Sequence, residues 1–155
     1  MNVRKWIVVS GLTWLAIGSW LMFKGLKWIT QAITLVEGGP LIRWLTLVTG
    51  KPQQSGLVLI CIALAIGLIK GRTVLAKTAQ RIILRLRLQQ SPITLSQAYD
   101  RRYLVLLSCM MMLGILFRFL PIGLDIRGTI DIAIGSALIN GAMIYFREAL
   151  IPSKA

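Results

Sequence analysis

Histidine is absent from this 155-residue chain, acidic residues number only five, and the two cysteines lie apart within apolar runs. Without histidine the chain lacks the commonest general acid/base, a conventional catalytic triad and the Cys/His sets that bind zinc. The five acids are scattered along the sequence, so they do not form an evident site for a divalent metal. These absences predict a protein that is not an enzyme and carries neither a cofactor nor a metal.

Apolar residues, by contrast, are abundant. Hydrophobic residues make up 56% of the chain and charged residues only 15%, and the mean hydropathy is +0.75. This composition is too apolar for a soluble domain and is typical of a membrane protein. The net charge of +13 could also indicate nucleic-acid binding, but residues 70–90 lack the interspersed aromatic side chains of such sites. We therefore expect no nucleic-acid partner.

Four apolar stretches are candidates for membrane spans, at residues 6–23, 56–72, 103–120 and 128–146. Each approaches the roughly 20 helical residues needed to cross the hydrocarbon core. The first also resembles a signal peptide, but its apolar run continues beyond the small-residue site, which favours a retained span. The predicted fold is an all-α integral membrane protein, a four-helix bundle forming a single domain over residues 1–155.

The region between the first two spans, residues 24–55, is predicted to be a non-cytoplasmic interfacial segment. Residues 24–36 have an amphipathic pattern, with Trp28 expected at headgroup level. Residues 38–40, Gly-Gly-Pro, should break the helix. Residues 41–48 form a short apolar piece interrupted by Arg43, too short to cross a membrane, so it lies at the interface or packs against other helices.

Residues 70–102 are predicted to form a basic helical hairpin in the cytoplasm. If one helix continues from the second span, four basic side chains share one stripe of its surface: Lys70, Lys77, Arg81 and Arg85. Clustered cations beside a membrane attract anionic headgroups, each contributing about 1 kcal/mol near a charged surface. The same stripe could bind an acidic protein partner, and the sequence does not separate the two.

The distribution of Lys and Arg predicts the orientation. The N-terminal tail, the basic hairpin and the C-terminal tail together hold twelve of the 18 basic residues, and the opposite side holds six. By the positive-inside rule both termini are cytoplasmic. The absence of transit-like features favours a bacterial inner membrane.

Small residues recur at regular intervals within the predicted spans. The spacing is seven in the first and fourth spans and four in the second: Gly11, Gly18 and Gly25; Gly128, Gly135 and Ala142; Ala63, Gly67 and Gly71. Such faces let helix backbones approach closely, within one bundle or along a homo-oligomer seam. The tripeptide Ala-Ile-Gly also occurs three times, in the first, second and fourth spans, at residues 16–18, 65–67 and 133–135. Either duplication or chance would account for it.

Three polar residues in or beside the apolar spans are candidate sites: Asp131, Asn140 and Arg118. A short loop around Asp125 and Arg127 is expected before the fourth span. Asp131 lies in the first turn of that span, four residues after Arg127, where a structural ion pair or a proton or cation site would account for it. Asn140 lies deeper and needs a hydrogen-bond partner, as an interhelical contact or in a pore lining.

Two functions remain open from the sequence. The first is a non-enzymatic membrane subunit or scaffold whose basic hairpin binds anionic lipid or a protein partner. The alternative is a small transporter or channel, working as a homo-oligomer, with Asp131 and Asn140 in the pathway.

Overall fold

The computed structural model describes residues 3–35, 39–75, 80, 112, 119 and 122–150. These residues form four α-helices and no strand: α1 (Val3–Thr34), α2 (Pro40–Thr49), α3 (Pro52–Lys70) and α4 (Leu124–Leu150). A π-helical turn, Gly71–Leu75, follows α3 directly. The described part of the chain therefore confirms the predicted all-helical bundle.

Three helical segments are long and apolar enough to cross a membrane: Ile7–Thr34, Pro52–Thr73 and Leu124–Leu150. They correspond to the first, second and fourth predicted spans. The third predicted span, residues 103–120, lies outside the described residues except for Met112 and Phe119, which are helical and exposed.

Glycines set the contact between α1 and α4. A Cβ at Gly18 would lie 2.9 Å from the carbonyl oxygen of Gly135, and one at Gly25 would lie 2.8 Å from that of Gly128. The residue number rises along α1 as it falls along α4, so the two helices are antiparallel. The two glycines are seven residues apart on each helix, so both pairs of glycines face each other. Close backbone approach of this kind is what small residues permit between apolar helices.

Helices α3 and α4, by contrast, run in the same direction. A Cβ at Gly67 would lie 2.7 Å from the Cβ of Ser136, and a Cβ at Gly71 would lie 3.0 Å from the Cβ of Asn140. Residue numbers rise together, so α3 and α4 are parallel. Consequently, the start of α1 lies at the same end of the bundle as the ends of α3 and α4.

The three Ala-Ile-Gly tripeptides meet at one level of the bundle. Gly18 contacts Gly135, while Gly67 packs against the carbonyl group of Ala133, the first residue of the third tripeptide. The repeated tripeptides therefore place small residues where the three helices pack together. Their origin by duplication stays a hypothesis.

Two buried apolar clusters flank this level. Near the start of α1, the rings of Trp14 and Tyr145 lie 5.6 Å apart at an interplanar angle of 53°. At the other end, Ile29, Ile42 and Ile132 are fully or almost fully buried, which joins α1, α2 and α4 in one core.

Two helix boundaries differ from the sequence prediction. The predicted amphipathic extension, residues 24–36, continues α1 without a break as far as Thr34. Its amphipathic pattern reflects packing on the bundle, since Ile29 and Ala32 are buried while Lys24 and Lys27 are exposed. Helix α4 begins at Leu124, four residues before the start of the predicted fourth span, so the residues expected in a loop form its first turn.

A π-helical turn occupies the residues directly after Lys70, where the predicted basic stripe begins. The stripe assumes an α-helical period of 3.6 residues through this position, whereas a π turn closes its hydrogen bonds one residue later than an α turn. Lys77, Arg81 and Arg85 lie outside the described residues, so the stripe stays a prediction.

Replacing Gly18 with leucine tests the α1–α4 contact. The new side chain would meet the backbone of α4, so we expect the free energy of unfolding to fall by about 1–3 kcal/mol or more. Ala16→Leu is the matched control, because Ala16 is exposed on the same helix. Thermal unfolding in detergent measures both variants, and equal stability of the two would contradict the close approach.

Candidate functional site: buried polar groups between the helices

Asp125 is the most deeply buried charged residue in the described part of the chain. Its side chain lies in the first turn of α4 and is fully inaccessible to solvent. Its Oδ2 accepts hydrogen bonds from the backbone N–H groups of Leu41 at 2.6 Å and Ile42 at 3.1 Å. Its Oδ1 accepts the N–H of Ile126 at 2.8 Å. One carboxyl group thus ties the start of α2 to the start of α4.

The N-terminus of α2 explains why a distant side chain is needed. The N-cap residue is Gly39, which has no side chain that could accept a hydrogen bond, and Pro40 at the first helical position has no N–H to satisfy. The next two N–H groups bind Asp125, and the N–H of Arg43 binds the Gly39 carbonyl oxygen at 2.9 Å. The first turn of α2 is therefore fully paired by the protein.

Gly39 also provides the space that the carboxyl group occupies. A Cβ on this residue would overlap the carboxyl carbon and both oxygens of Asp125. A Cβ at Gly123 would lie 2.5 Å from Oδ1 of the same group. The two glycines, 84 positions apart in sequence, admit one carboxylate between two helix N-termini, where both helix dipoles favour a negative charge.

A group of three hydroxyl side chains joins the other end of α2 to α3. Ser55 is fully buried, and its Oγ lies 3.0 Å from Oγ1 of Thr46 and 2.7 Å from Oγ1 of Thr49. Gly50 closes the helix in the left-handed conformation with φ of 75°, and its N–H donates to the Thr46 carbonyl oxygen at 2.8 Å. The α2–α3 hairpin is thus fixed by hydrogen bonds inside the bundle.

Asp131 pairs with a cation across the α1–α4 contact. Its Oδ2 lies 3.6 Å from Nζ of Lys24, and the two side chains are 19% and 47% exposed. The sequence suggested Arg127, four residues away on the same helix, as the neighbouring cation. The structure instead places an ion pair between two helices, one turn from the Gly25–Gly128 contact.

Asn140 bonds within its own helix. Its Nδ2 donates to the carbonyl oxygen of Ser136 at 2.9 Å, while the Ser136 hydroxyl donates at 3.4 Å to the carbonyl oxygen of Leu64 on α3. The interhelical hydrogen bond expected of Asn140 is therefore made by Ser136, one turn earlier. Asn140 itself packs against Gly71.

The remaining predicted site residues are only partly covered. Lys70 occupies the last turn of α3 and is exposed. Lys77, Arg81, Arg85 and Arg118 lie outside the described residues, as does most of the predicted hairpin 70–102.

Sequence reasoning did not identify Asp125 as a site residue. It stood in a presumed loop, where an acidic residue is unremarkable. Two local features of the sequence could have pointed to Asp125. A helix that starts at Gly-Pro has no side-chain cap of its own, and a glycine lies two positions before Asp125. Neither pattern specifies a partner 84 residues away, so only the tertiary fold brings the two together.

Comparisons with protein-family models, curated proteins and solved structures gave no match. Among the described residues, there is also no group of three His, Cys, Asp or Glu side chains that could hold a metal ion.

Replacing Asp125 with alanine should leave the Leu41 and Ile42 amides without their acceptor. Burial of such groups costs about 1–3 kcal/mol, so we expect a clear fall in thermal stability and faster deuterium exchange of these two amides. Asp125→Asn keeps one oxygen acceptor and should cost less. The control is Asp131→Ala, which removes a partly exposed ion pair that contributes about 1 kcal/mol or less. Unchanged exchange at Leu41 and Ile42 in Asp125→Ala would contradict the proposed cap.

Proposed function

We propose that this protein is a non-enzymatic, multi-pass subunit or scaffold of a bacterial inner membrane, with both termini in the cytoplasm. Its basic segment, residues 70–102, binds anionic lipid headgroups or an acidic protein partner. Lys70, Lys77, Arg81 and Arg85 are the residues proposed for this contact.

The main support is the pairing of the polar groups within the described helices. Asp125 binds backbone amides, Asp131 binds Lys24 and Asn140 binds a carbonyl oxygen of its own helix. Asp131 and Asn140, the two residues considered for a transport pathway, thus both have partners within the protein, as expected of a structural role. A carrier would need such a group to exchange its partner for the transported species.

The direction of the helices also agrees with the proposed orientation. The start of α1 and the ends of α3 and α4 lie at one end of the bundle, where Lys5, Lys70, Arg72 and Arg147 are exposed. The sequence assigned these same segments to the more basic, cytoplasmic side. A basic surface at this end would face anionic headgroups of the inner leaflet.

The transporter alternative depends on Asp131 and Asn140. The Lys24–Asp131 pair is the observation that bears on it, because an exchangeable ion pair between two helices can accompany proton or cation movement. Asp131 is the eighth residue of α4 rather than part of its first turn. The partial exposure of both side chains beside the Gly25–Gly128 contact favours a structural pair.

Charge reversal within the basic segment tests the proposed binding. In nanodiscs of phosphatidylcholine and phosphatidylglycerol, native mass spectrometry should show anionic lipid or a partner protein retained by the unmodified chain and lost from Arg81→Glu/Arg85→Glu. The matched control for each single change, Arg81→Glu or Arg85→Glu, is Lys27→Glu, which makes the same change in charge on an exposed residue toward the opposite end of the bundle. It should retain the bound species.

The same measurement separates the two functions when Asp131→Asn is included. A scaffold predicts that this variant keeps its bound lipid or partner and loses only stability. Loss of proton flux in vesicles from Asp131→Asn, with binding unaffected by the Arg81 and Arg85 changes, would contradict the scaffold and support the transporter.

A further inference from the structure

Helix α2 exposes large apolar side chains on the face that points away from the bundle. This outer face carries Trp44, Leu47 and Val48, which are 66%, 84% and 81% exposed. The inner face carries the buried Ile42 and the hydroxyl groups of Thr46 and Thr49. A helix that lies between a protein core and water normally carries polar residues on its outer face, so this face of α2 is suited to an apolar surrounding.

The start of α2 is paired in a way that does not require water. A helix N-terminus normally leaves several N–H groups to the solvent. Here Asp125 accepts the N–H groups of Leu41 and Ile42, and the Gly39 carbonyl oxygen accepts that of Arg43. Such internal pairing is required in lipid, because an unpaired backbone group is costly there.

The start of α3, next to α2, also exposes an apolar side chain. α3 begins three positions after α2 ends, and its first large apolar residue, Leu57, is 64% exposed. Exposed cations, Arg43 and Lys51, lie on α2 and at the turn. Long basic side chains can reach headgroups while the adjacent apolar face contacts acyl chains. With ten residues, α2 extends about 15 Å, half the thickness of the hydrocarbon core.

We propose that α2 lies within one leaflet, at the end of the bundle where α1 ends and α4 begins, with Trp44, Leu47 and Val48 against phospholipid acyl chains. Arg43 and Lys51 contact the headgroups of that leaflet. Asp125 makes this position stable, because it replaces water at the start of α2. The proposal requires the membrane location proposed above, but not the binding by the basic segment.

Tryptophan fluorescence tests the proposal directly. A chain in which Trp44 is the sole tryptophan, with Trp6, Trp14, Trp20 and Trp28 replaced by phenylalanine, is placed in vesicles of phosphatidylcholine brominated near the headgroup or near the chain ends. Two matched single-tryptophan chains serve as references. Trp20 of α1 is 72% exposed on a candidate span, and Trp14 is buried against Tyr145.

Bromine on the acyl chains should quench Trp44 to an extent comparable with Trp20, whereas Trp14 should be quenched least. Because α2 lies in one leaflet, bromine near the headgroup should quench Trp44 more than bromine near the chain ends. Quenching of Trp20 without quenching of Trp44 would overturn the proposal while leaving the membrane location intact. Absence of quenching for both would overturn the membrane location itself.

A second measurement covers the case in which the tryptophan replacements disturb folding. In a chain with Cys61 and Cys109 replaced by serine, Leu47→Cys should resist a membrane-impermeant maleimide in open membrane fragments, while Lys51→Cys should react. Equal reactivity at the two positions would place the outer face of α2 in water and overturn the proposal. Protection of Leu47→Cys that persists in detergent, with a dimeric mass, would show a second copy on this face and overturn it equally.

Discussion

The arrangement of the described helices depends on the close approach of α1 and α4 at Gly18–Gly135 and Gly25–Gly128. At these positions each backbone occupies the space where a side chain of its partner would otherwise lie. Apolar side chains gain little by leaving lipid for a helix interface, so contact between membrane helices depends on packing and on hydrogen bonds. The other contacts in the bundle follow from the register that these glycines impose.

That register places the polar residues against suitable partners. Lys24 comes next to Asp131 because both stand close to the Gly25–Gly128 contact. The start of α4 likewise comes level with the start of α2, which allows Asp125 to pair with the α2 amides. In a low-dielectric surrounding such groups stabilise the fold only when they are paired, so their pairing and the helix register are interdependent.

The sequence was sufficient to predict the helical class, the three long apolar helices of the described residues and the faces on which small residues pack. Heptad spacing at Gly11, Gly18 and Gly25 predicts a contact face because helical periodicity is local. It could not distinguish a contact within the chain from a seam between copies, and the structure pairs this face with α4 of the same chain.

The sequence pattern could not predict which distant residues form hydrogen bonds with each other. Asp125 was assigned to a loop because nothing local shows that its acceptor oxygens meet Leu41 and Ile42. The π-helical turn at Gly71–Leu75 was missed for a related reason: a change of helical period leaves no trace in composition. The basic stripe that begins at Lys70 assumes a constant helical period, and it stays a prediction because its other residues lie outside the described part of the chain.

Cross-linking between α1 and α4 tests the intramolecular register most directly. In a chain with Cys61 and Cys109 replaced by serine, Lys24→Cys with Asp131→Cys should be joined rapidly by a short bis-maleimide, giving a cross-linked monomer. Lys24→Cys with Arg147→Cys is the mismatched control, since residues 131 and 147 are separated by roughly 24 Å along one helix. A product that forms only between two chains, or equal cross-linking of the control, would contradict the arrangement.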